Sequence, residues 1–327
     1  MKKYLPYVIP AICGYGQFTI ALSILYSEPS QEVDTWFAQS FIQLVSLRNE
    51  KHILFENEFG DNQFMNSPFL DKYIIPMSMV QQSNLDIVEV SRYYLERNTY
   101  IGYLCDRFYF PFCTEEYQTQ HFTHFVLLTG FDDESQTVRI ADYFNHKYML
   151  CECPYHILRN AAMSKYCVSP QPYEDSILCV RRRDFLTFPI SFNRERLTYL
   201  AREYLKGYEG KEISTGICIY NELSQYVQEG TLRYNVIQTI YDHKLAMCRR
   251  LKILRAYGYA SISDQDELYF EKVLEQAQIL RNILIRQHIL KGKNSKLTTQ
   301  HTLDCIARYR EMDIDAMNYF INIIQNR

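Results

Sequence analysis

The stretch of residues 121–142, HFTHFVLLTGFDDESQTVRIAD, limits the possible folds of this chain more than any other segment. Residues 125–131 form an apolar run rich in β-branched and aromatic side chains, and residues 137–144 alternate apolar and polar side chains. Both patterns are typical of β-strands, and the short polar loop DDESQ between them favours an antiparallel hairpin. The sequence therefore predicts an antiparallel sheet that contains this hairpin.

The predicted hairpin brings a histidine and an aspartate together. His124 stands at the start of the first strand and Asp142 near the end of the second, so we expect the two side chains to meet. A carboxylate next to an imidazole fixes its tautomer and stabilises its protonated form, which suits the base that serves a nucleophile. His121 is an alternative base, although its position places it in the loop that leads into the strand. A purely structural role for the pair is the other interpretation.

Cys13 is the candidate nucleophile. It lies between an extended segment with two prolines and the run QFTIALSILYS, which predicts a buried helix because apolar residues occupy nearly all of its faces. The free N–H groups and positive dipole end of a helix start stabilise a thiolate and can hold an oxyanion. Cysteine at a helix start, then histidine on a strand, then aspartate on the next strand, is the papain-like order. The alternative is a buried cysteine that acts as a small apolar residue.

Three groups of residues resemble a known family. They are D-R-F-Y-F-P-F from Asp106 with Tyr117 after it, the hairpin segments H-F-T-H-F-V-L-L-T-G-F-D-D and V-R-I-A-D, and S-T-G-I-C-I-Y-N-E-L at 214–223. In these residues the chain resembles the N-terminal domain of the butirosin-pathway acyltransferase family, and it is also similar to the C39 peptidases. The resemblance implies an α+β fold: a papain-like domain with an antiparallel sheet and an N-terminal catalytic helix, followed by a C-terminal helical region.

The resemblance also implies a function. Members of this group move an acyl chain from a carrier-protein thioester to an amine, which can be a diamine, and form an amide bond in nonribosomal natural-product biosynthesis. By that likeness Cys13 would be the nucleophile, His124 the base and Asp142 the acid that orients the base. The implied partners are an acyl or peptidyl carrier protein and a small amine. No cofactor is implied, because the carrier's phosphopantetheinyl arm presents the substrate.

One position departs from the papain pattern, and two further residues are candidates for contacts with substrate. Papain-type enzymes place a glutamine shortly before the cysteine to hold the oxyanion, whereas this chain has Tyr7 there. We therefore expect backbone N–H groups near Cys13 to hold the oxyanion, with Gln17 as a more remote candidate. Asp106 is a candidate for binding the second ammonium group of a diamine.

Helical periodicity dominates the chain after residue 192 and predicts a second region. Ser263 and Asp266 form a capping-box pattern at the start of one of its helices. Residues 33–48 also show helical spacing, with Asp34 as the candidate cap, whereas residues 49–83 predict a loop-rich stretch. The helical segments of the second region are 193–206, 216–228, 233–256, 264–290 and 299–325.

The length of 327 residues favours two domains. The change of periodicity places the boundary near residue 190. We therefore predict a papain-like catalytic domain at 1–190 and a helical domain at 191–327 that covers the cleft.

Composition narrows the possible functions. Lys and Arg total 35 against 38 Asp and Glu, a formal net charge of -3, so no overall positive charge favours nucleic acid. The ten cysteines lack a repeated spacing, which predicts reduced thiols and a cytoplasmic location.

No apolar stretch reaches the roughly 18 residues that a membrane span needs. CECPYH at 151–156 lacks a second pair of zinc ligands, so no metal is expected.

Two other functions fit the same residues. A cysteine peptidase or thioesterase would use the same triad, with water in place of the amine. A papain-like scaffold that binds a peptide or a carrier protein without catalysis belongs to a different class. The arginines at 181–183 and 249–250 are either ordinary solvated residues or a docking surface for an acidic carrier protein.

Overall fold

The computed structural model shows a mixed α+β protein with antiparallel sheets and C-terminal helices. It describes residues 1–14, 16–55, 67–145, 147–167, 176–183, 189–290 and 296–325, with the side chains of 16–18 and 296–297 outside the description. The chain divides into two compact units. Unit 1 comprises Met1–Pro29 and Ser67–Thr187, and unit 2 comprises Ser30–Asn66 and Phe188–Arg327.

The helices and strands of the described residues are numbered in chain order. The strands are β1 (Lys2–Tyr4), β2 (Leu44–Leu47), β3 (His52–Phe55), β4 (Leu70–Pro76), β5 (Thr99–Asp106), β6 (Thr123–Asp132), β7 (Thr137–Phe144), β8 (Lys147–Pro154), β9 (Ser176–Arg182), β10 (Tyr208–Glu209) and β11 (Ile213–Thr215). The helices are α1 (Gly16–Leu25), α2 (Gln31–Ala38), α3 (Met77–Gln82), α4 (Ile87–Glu96), α5 (Tyr155–Ala162), α6 (Arg194–Lys206), α7 (Ile219–Gln228), α8 (Tyr234–Ala256), α9 (Asp264–Ile289) and α10 (Lys296–Gln325).

The described strands of unit 1 form one antiparallel sheet. Its order is β4-β9-β5-β6-β7-β8, and β1 pairs with β6 outside this series. Strands β6 and β7 pair from Asp132↔Thr137 to Leu127↔Ala141, which confirms the predicted hairpin. The register shifts between Leu128 and Gly130, close to the point where β1 joins β6.

The pairing of β1 with β6 depends on Gly130. Its partner across the strands is Tyr4, and a Cβ atom on residue 130 would lie 2.2 Å from Tyr4 Cδ1 and 2.7 Å from the carbonyl oxygen of Lys3. Side-chain carbons do not approach other atoms so closely, so the two backbones can pair here only because residue 130 is glycine. Strand β1 in turn fixes the point at which the N-terminal segment leaves the sheet.

In unit 1 the helix predicted after Cys13 forms as α1, whereas the stretch 49–83, which was predicted to be loop-rich, contains β4 and α3. Helix α1 follows Cys13, and its residues Ile20 and Leu25 are buried as its apolar pattern predicts. Helix α4 begins after Asp86, whose carboxylate accepts a hydrogen bond from the backbone of Val88 at 3.0 Å. The same carboxylate forms an ion pair at 2.6 Å with Arg159 of α5.

Unit 2 contains a second sheet, with the order β10-β11-β2-β3. The prediction of one helix over residues 33–48 is wrong, because α2 ends at Ala38 and strand β2 follows. Between the two elements Phe41 adopts a φ of 57°, which is incompatible with a right-handed helix. Strand β2 lies between β3 and β11 with most residues buried, so its sequence LVSL lacks the alternation that identifies a strand. The cap of α2 is Ser30 and not Asp34.

The second sheet also explains how the chain divides. Strand β2 pairs with β3 on one edge and with β11 on the other. Residues 30–66 therefore belong to unit 2 and not to the N-terminal domain expected from the sequence. The end of unit 1 at Thr187 lies close to the predicted boundary at 190. The idea that the helical region covers a cleft stays a prediction.

The helices of unit 2 lie close to their predicted bounds. Helix α9 begins with the predicted capping box, in which Ser263 and Asp266 each accept a hydrogen bond from the other's backbone. Apolar residues at helical spacing form a stripe along this helix that is largely buried. Its buried members are Phe270, Val273, Ala277, Leu280 and Leu284.

A buried cluster of charged and phenolic groups joins four helices of unit 2. Asp313 of α10 accepts hydrogen bonds from the hydroxyls of Tyr204 at 2.7 Å and Tyr220 at 2.8 Å, and it forms an ion pair with Lys244 of α8. The charged side chains are 2% and 1% exposed. Burial lowers the pKa of Lys244, and the neighbouring carboxylate partly offsets this effect. Each charge of the pair is therefore tolerated only in the presence of the other.

We predict that Asp313→Asn destabilises unit 2 by about 3–5 kcal/mol, because the Lys244 ammonium stays buried without a counter-charge. The single tryptophan, Trp36, lies in α2 of this unit, so its fluorescence in a denaturant titration follows the unfolding. Asp315→Asn, at an exposed position on the same helix, is the matched control and should change the stability by less than about 0.5 kcal/mol. Equal transitions for the two variants would contradict the prediction.

Candidate active site

His124 and Asp142 meet as predicted. Nδ1 of His124 lies 2.9 Å from Oδ2 of Asp142 across β6 and β7. The carboxylate is buried, whereas 38% of the histidine side chain is exposed. An ionised carboxylate only accepts hydrogen bonds, so this contact places the proton on Nδ1 and leaves Nε2 as an acceptor. An imidazole in this tautomer can take a proton from a thiol or an amine.

Arg107 completes the surroundings of the aspartate. Its Nη2 donates to Oδ2 of Asp142 at 2.8 Å and to the carbonyl oxygen of Tyr143 at 2.6 Å. The sequence analysis assigned no role to Arg107. The only signal was its place in the D-R-F-Y-F-P-F segment, which says nothing about its distance from β7.

The alternative base, His121, also has a carboxylate partner. Its Nδ1 lies 2.6 Å from Oδ2 of Asp106, and its ring stacks between Phe108 and Tyr166 with centroid distances of 4.3 and 3.8 Å. The two aromatic rings cover both faces of the imidazole. His121 is therefore stacked between two rings, but its side chain is 31% exposed against 38% for His124, so exposure does not distinguish the two histidines.

Asp106 has a different role from the one predicted for it. It is 0% exposed, and its oxygens accept hydrogen bonds from Ser164 Oγ at 2.7 Å and the backbone of Phe108 at 3.1 Å in addition to the contact with His121. Burial raises the pKa of Asp106, but these three hydrogen bonds outweigh it and the pKa falls below its usual value. This arrangement argues against a contact with the ammonium of a diamine, because the carboxylate faces internal donors.

The start of α1 lies at the end of the sheet that carries the His124–Asp142 pair. Near the beginning of the helix, Thr19 Oγ1 lies 3.2 Å from the hydroxyl of Tyr143, at the end of β7. At its last residue, the carbonyl oxygen of Leu25 accepts a hydrogen bond at 3.1 Å from Arg182, at the opposite end of the sheet. The helix therefore runs away from the end of the sheet where β6 begins, and Cys13, which precedes the helix in the chain, is half-buried.

The face of the sheet on which α1 packs limits where a thiol at residue 13 could contact His124. Tyr143 contacts the helix, and its neighbour Asp142 points to the opposite face because successive side chains of a strand alternate. A thiol at residue 13 would therefore meet His124 beyond the strand ends and not above the middle of the sheet. The structure thus shows one pair of the predicted triad, and the contact between Cys13 and His124 stays a prediction.

The structure says different things of Gln17, the remote oxyanion candidate, and of Tyr7, which stands at the position of papain's glutamine. Gln17 lies in α1, but its side chain is outside the described residues, so its role stays a prediction. Tyr7 forms a hydrogen bond between its hydroxyl and that of Tyr148, and burial raises the pKa of both phenols. Tyr7 is thus a protonated group tied to β8.

Burial makes most of the other cysteines poor nucleophiles. Burial raises the thiol pKa to about 12 at Cys113, Cys167 and Cys179 and to about 11 at Cys248. It also raises the thiol pKa of Cys105, Cys151, Cys153 and Cys218. A thiolate is the reactive form, so these residues are nearly unreactive at neutral pH. None of the ten cysteines, all within the described residues, forms a disulfide.

The basic residues considered for carrier docking are largely engaged within their own units. Arg181 and Arg183 both pair with Asp71, at 3.3 and 2.7 Å. Arg250 is buried and donates to the carbonyl oxygens of Ala38, Ser40 and Phe41, and burial lowers its pKa to about 9. Arg250 therefore stabilises the end of α2 and is not part of a docking surface.

Searches for two further features found nothing in the parts of the chain that the structure describes. No group of three or more His, Cys, Asp or Glu side chains there is arranged to hold a metal ion. None of the helices there is long and apolar enough to span a membrane.

Comparison with other proteins gives no family. The chain matches no protein-family model, and no curated protein matches it significantly. The resemblance seen in the sequence therefore stays a prediction.

We predict that iodoacetamide at pH 7 labels Cys13 before the buried cysteines, and that His124→Ala slows this labelling at least ~10-fold because the thiolate loses its base. The labelling rate of each cysteine is measured by mass spectrometry of the digested protein. The experiment uses a Cys305→Ser background, which removes a partly exposed thiol on α10. His121→Ala is the matched control and should leave the rate unchanged. A slower rate in His121→Ala with a normal rate in His124→Ala would make His121 the base.

Proposed function

We propose that this chain is a cysteine-dependent acyltransferase with a papain-like arrangement, which forms an amide bond through an acyl-Cys13 intermediate. The observation that carries the proposal is the 2.9 Å contact between His124 and Asp142 at the end of the sheet where α1 begins. Cys13 is the nucleophile, His124 the base, and Asp142 the acid that orients it. The chain order of helix, strand and strand supports the papain-like comparison.

The first half-reaction uses the base in both directions. Nε2 of His124 takes the proton of Cys13, and the thiolate attacks the carbonyl carbon of a carrier-bound thioester. The carbon–sulfur bond to the carrier then breaks, and the departing thiolate takes the proton from the imidazolium. Backbone N–H groups near Cys13 are the proposed donors to the oxyanion. The products are acyl-Cys13 and the free thiol of the carrier's phosphopantetheinyl arm.

The second half-reaction decides the class of enzyme. The nitrogen of a small amine attacks acyl-Cys13, His124 takes the proton that the nitrogen loses, and the Cys13 carbon–sulfur bond breaks. Water in place of the amine would give a free acid, and the chain would then be a thioesterase or a peptidase. The proposal of transfer comes from the resemblance of the sequence, because the His124–Asp142 pair serves either acceptor. No cofactor takes part in these steps.

We predict that mixing the protein with an acyl-thioester gives one covalent adduct on Cys13, seen as a mass increase of the acyl group in the intact protein. Cys13→Ala should show no adduct and no turnover, because the nucleophile is gone. Cys305→Ser, which changes a thiol on α10 of unit 2, is the control and should keep both. Full turnover in Cys13→Ala would exclude this nucleophile, and an unreactive protein that still binds the carrier would indicate a non-catalytic scaffold.

We predict that a carrier-bound acyl thioester supplied with a small diamine gives mainly the amide, with little free acid while the amine is present. The products can be separated and quantified by liquid chromatography with mass detection. The same reaction without the amine should leave acyl-Cys13 to accumulate, because transfer has no acceptor. Free acid as the main product with and without amine, or cleavage of ordinary peptides, would show that the protein is a hydrolase.

A further inference from the structure

Arg107 lies against the acid of the proposed triad. It begins the 3₁₀ turn Arg107–Tyr109 directly after β5, and its side chain is 9% exposed. The Asp142 oxygen that contacts His124 at 2.9 Å is the same oxygen that accepts a hydrogen bond from Arg107 Nη2 at 2.8 Å. One carboxylate oxygen thus holds a guanidinium and an imidazole together.

The position of Arg107 is fixed from several sides. Its backbone N–H donates to the carbonyl oxygen of Phe122 at 2.9 Å, and its guanidinium carbon lies 5.4 Å from the ring of Phe122 and 5.8 Å from that of Phe144. Glu116 is a second acidic neighbour, but its oxygen lies 3.7 Å from Nη1. Asp142 is therefore the main counter-charge of this buried cation, and the cation is the main counter-charge of Asp142.

We propose that Arg107 is a positioning residue that cancels the charge of Asp142, so that the acid of the triad acts on His124 much as the neutral amide of a Cys-His-Asn enzyme does. This inference rests on the proposed function. A lone carboxylate would favour the charged imidazolium, whereas a carboxylate paired with a guanidinium favours it much less. His124 is then kept as a neutral base, which the deprotonation of an amine requires.

The other titratable groups around the pair do not replace this charge. Cys105 on β5, Cys113 after it, and Tyr148 and Cys151 on β8 all have pKa values that burial raises, as does Tyr7, so these groups stay neutral near pH 7. Asp106 is paired with His121. Among the residues that the structure describes, the charges next to His124 are therefore those of Asp142, Arg107 and, farther away, Glu116.

The effect of the Arg107 charge on His124 can be tested without an activity assay, by following the titration of the His124 ring by NMR. In Arg107→Gln, which keeps a hydrogen-bond donor but has no charge, the pH midpoint of His124 should rise by about one unit because the repulsion of the imidazolium is lost. Arg107→Lys keeps the charge and should restore the midpoint. His301, exposed on α10, is the reference that should not move. An unchanged or lower midpoint in Arg107→Gln would overturn the proposal, whether or not the protein transfers acyl groups.

A pair of substitutions tests the same idea through the rate. Asp142→Asn should slow acyl transfer by up to about 10⁴-fold, because it removes the acid and leaves the guanidinium buried without a counter-charge. Adding Arg107→Gln should recover on the order of 10-fold or more, since the double variant has two neutral amides in place of the ion pair. Arg107→Met replaces Arg107→Gln if NMR shows the latter unfolded. A double variant slower than Asp142→Asn would show that Arg107 does not act through the charge of Asp142.

Discussion

The register between β6 and β7 is the constraint on which the candidate site depends. Leu127 pairs with Ala141 and Leu128 with Ile140, and this register puts His124 and Asp142 on one face. A shift by one residue would turn one of the two side chains to the other face and separate them. The neighbouring pairs fix the register, because β5 holds one edge of β6 and β8 holds the far edge of β7. The chemistry proposed for this chain thus depends on the packing of the sheet.

The features that the sequence predicted are those that local patterns determine. The β6–β7 hairpin follows from two strand-like runs separated by a short polar loop, and the start of α9 follows from Ser263 and Asp266 within one turn. The meeting of His124 with Asp142 is a consequence of the hairpin, since the loop alone brings their strands together. In each case the interacting residues are close in the chain, so no knowledge of distant segments was needed.

The features that the sequence missed depend on residues far apart in the chain. Arg107 reaches Asp142 only because β5 and β7 flank β6, and no periodicity records this. Likewise, the burial of β2 between β3 and β11 removed the alternation that would have distinguished it from a helix. Asp106 was a candidate for binding a diamine because it is acidic, and the sequence does not show that its carboxylate is buried. Its internal partner Ser164 lies 58 positions away, and only the structure shows the contact.

The two histidine–aspartate pairs differ in the groups that contact each carboxylate. Both pairs have short contacts from Nδ1 to a buried carboxylate, so the hydrogen bond alone does not distinguish them. Asp106 receives neutral donors from Ser164 and Phe108, and the ring of His121 is covered on both faces, as expected for a pair that fixes the loop before β6. Asp142 instead shares its oxygen with the cation of Arg107, and His124 keeps an exposed edge. The two histidines are similarly exposed, at 31% and 38%, so among the described residues the contact of Asp142 with the Arg107 cation is what separates the His124–Asp142 pair from the His121–Asp106 pair.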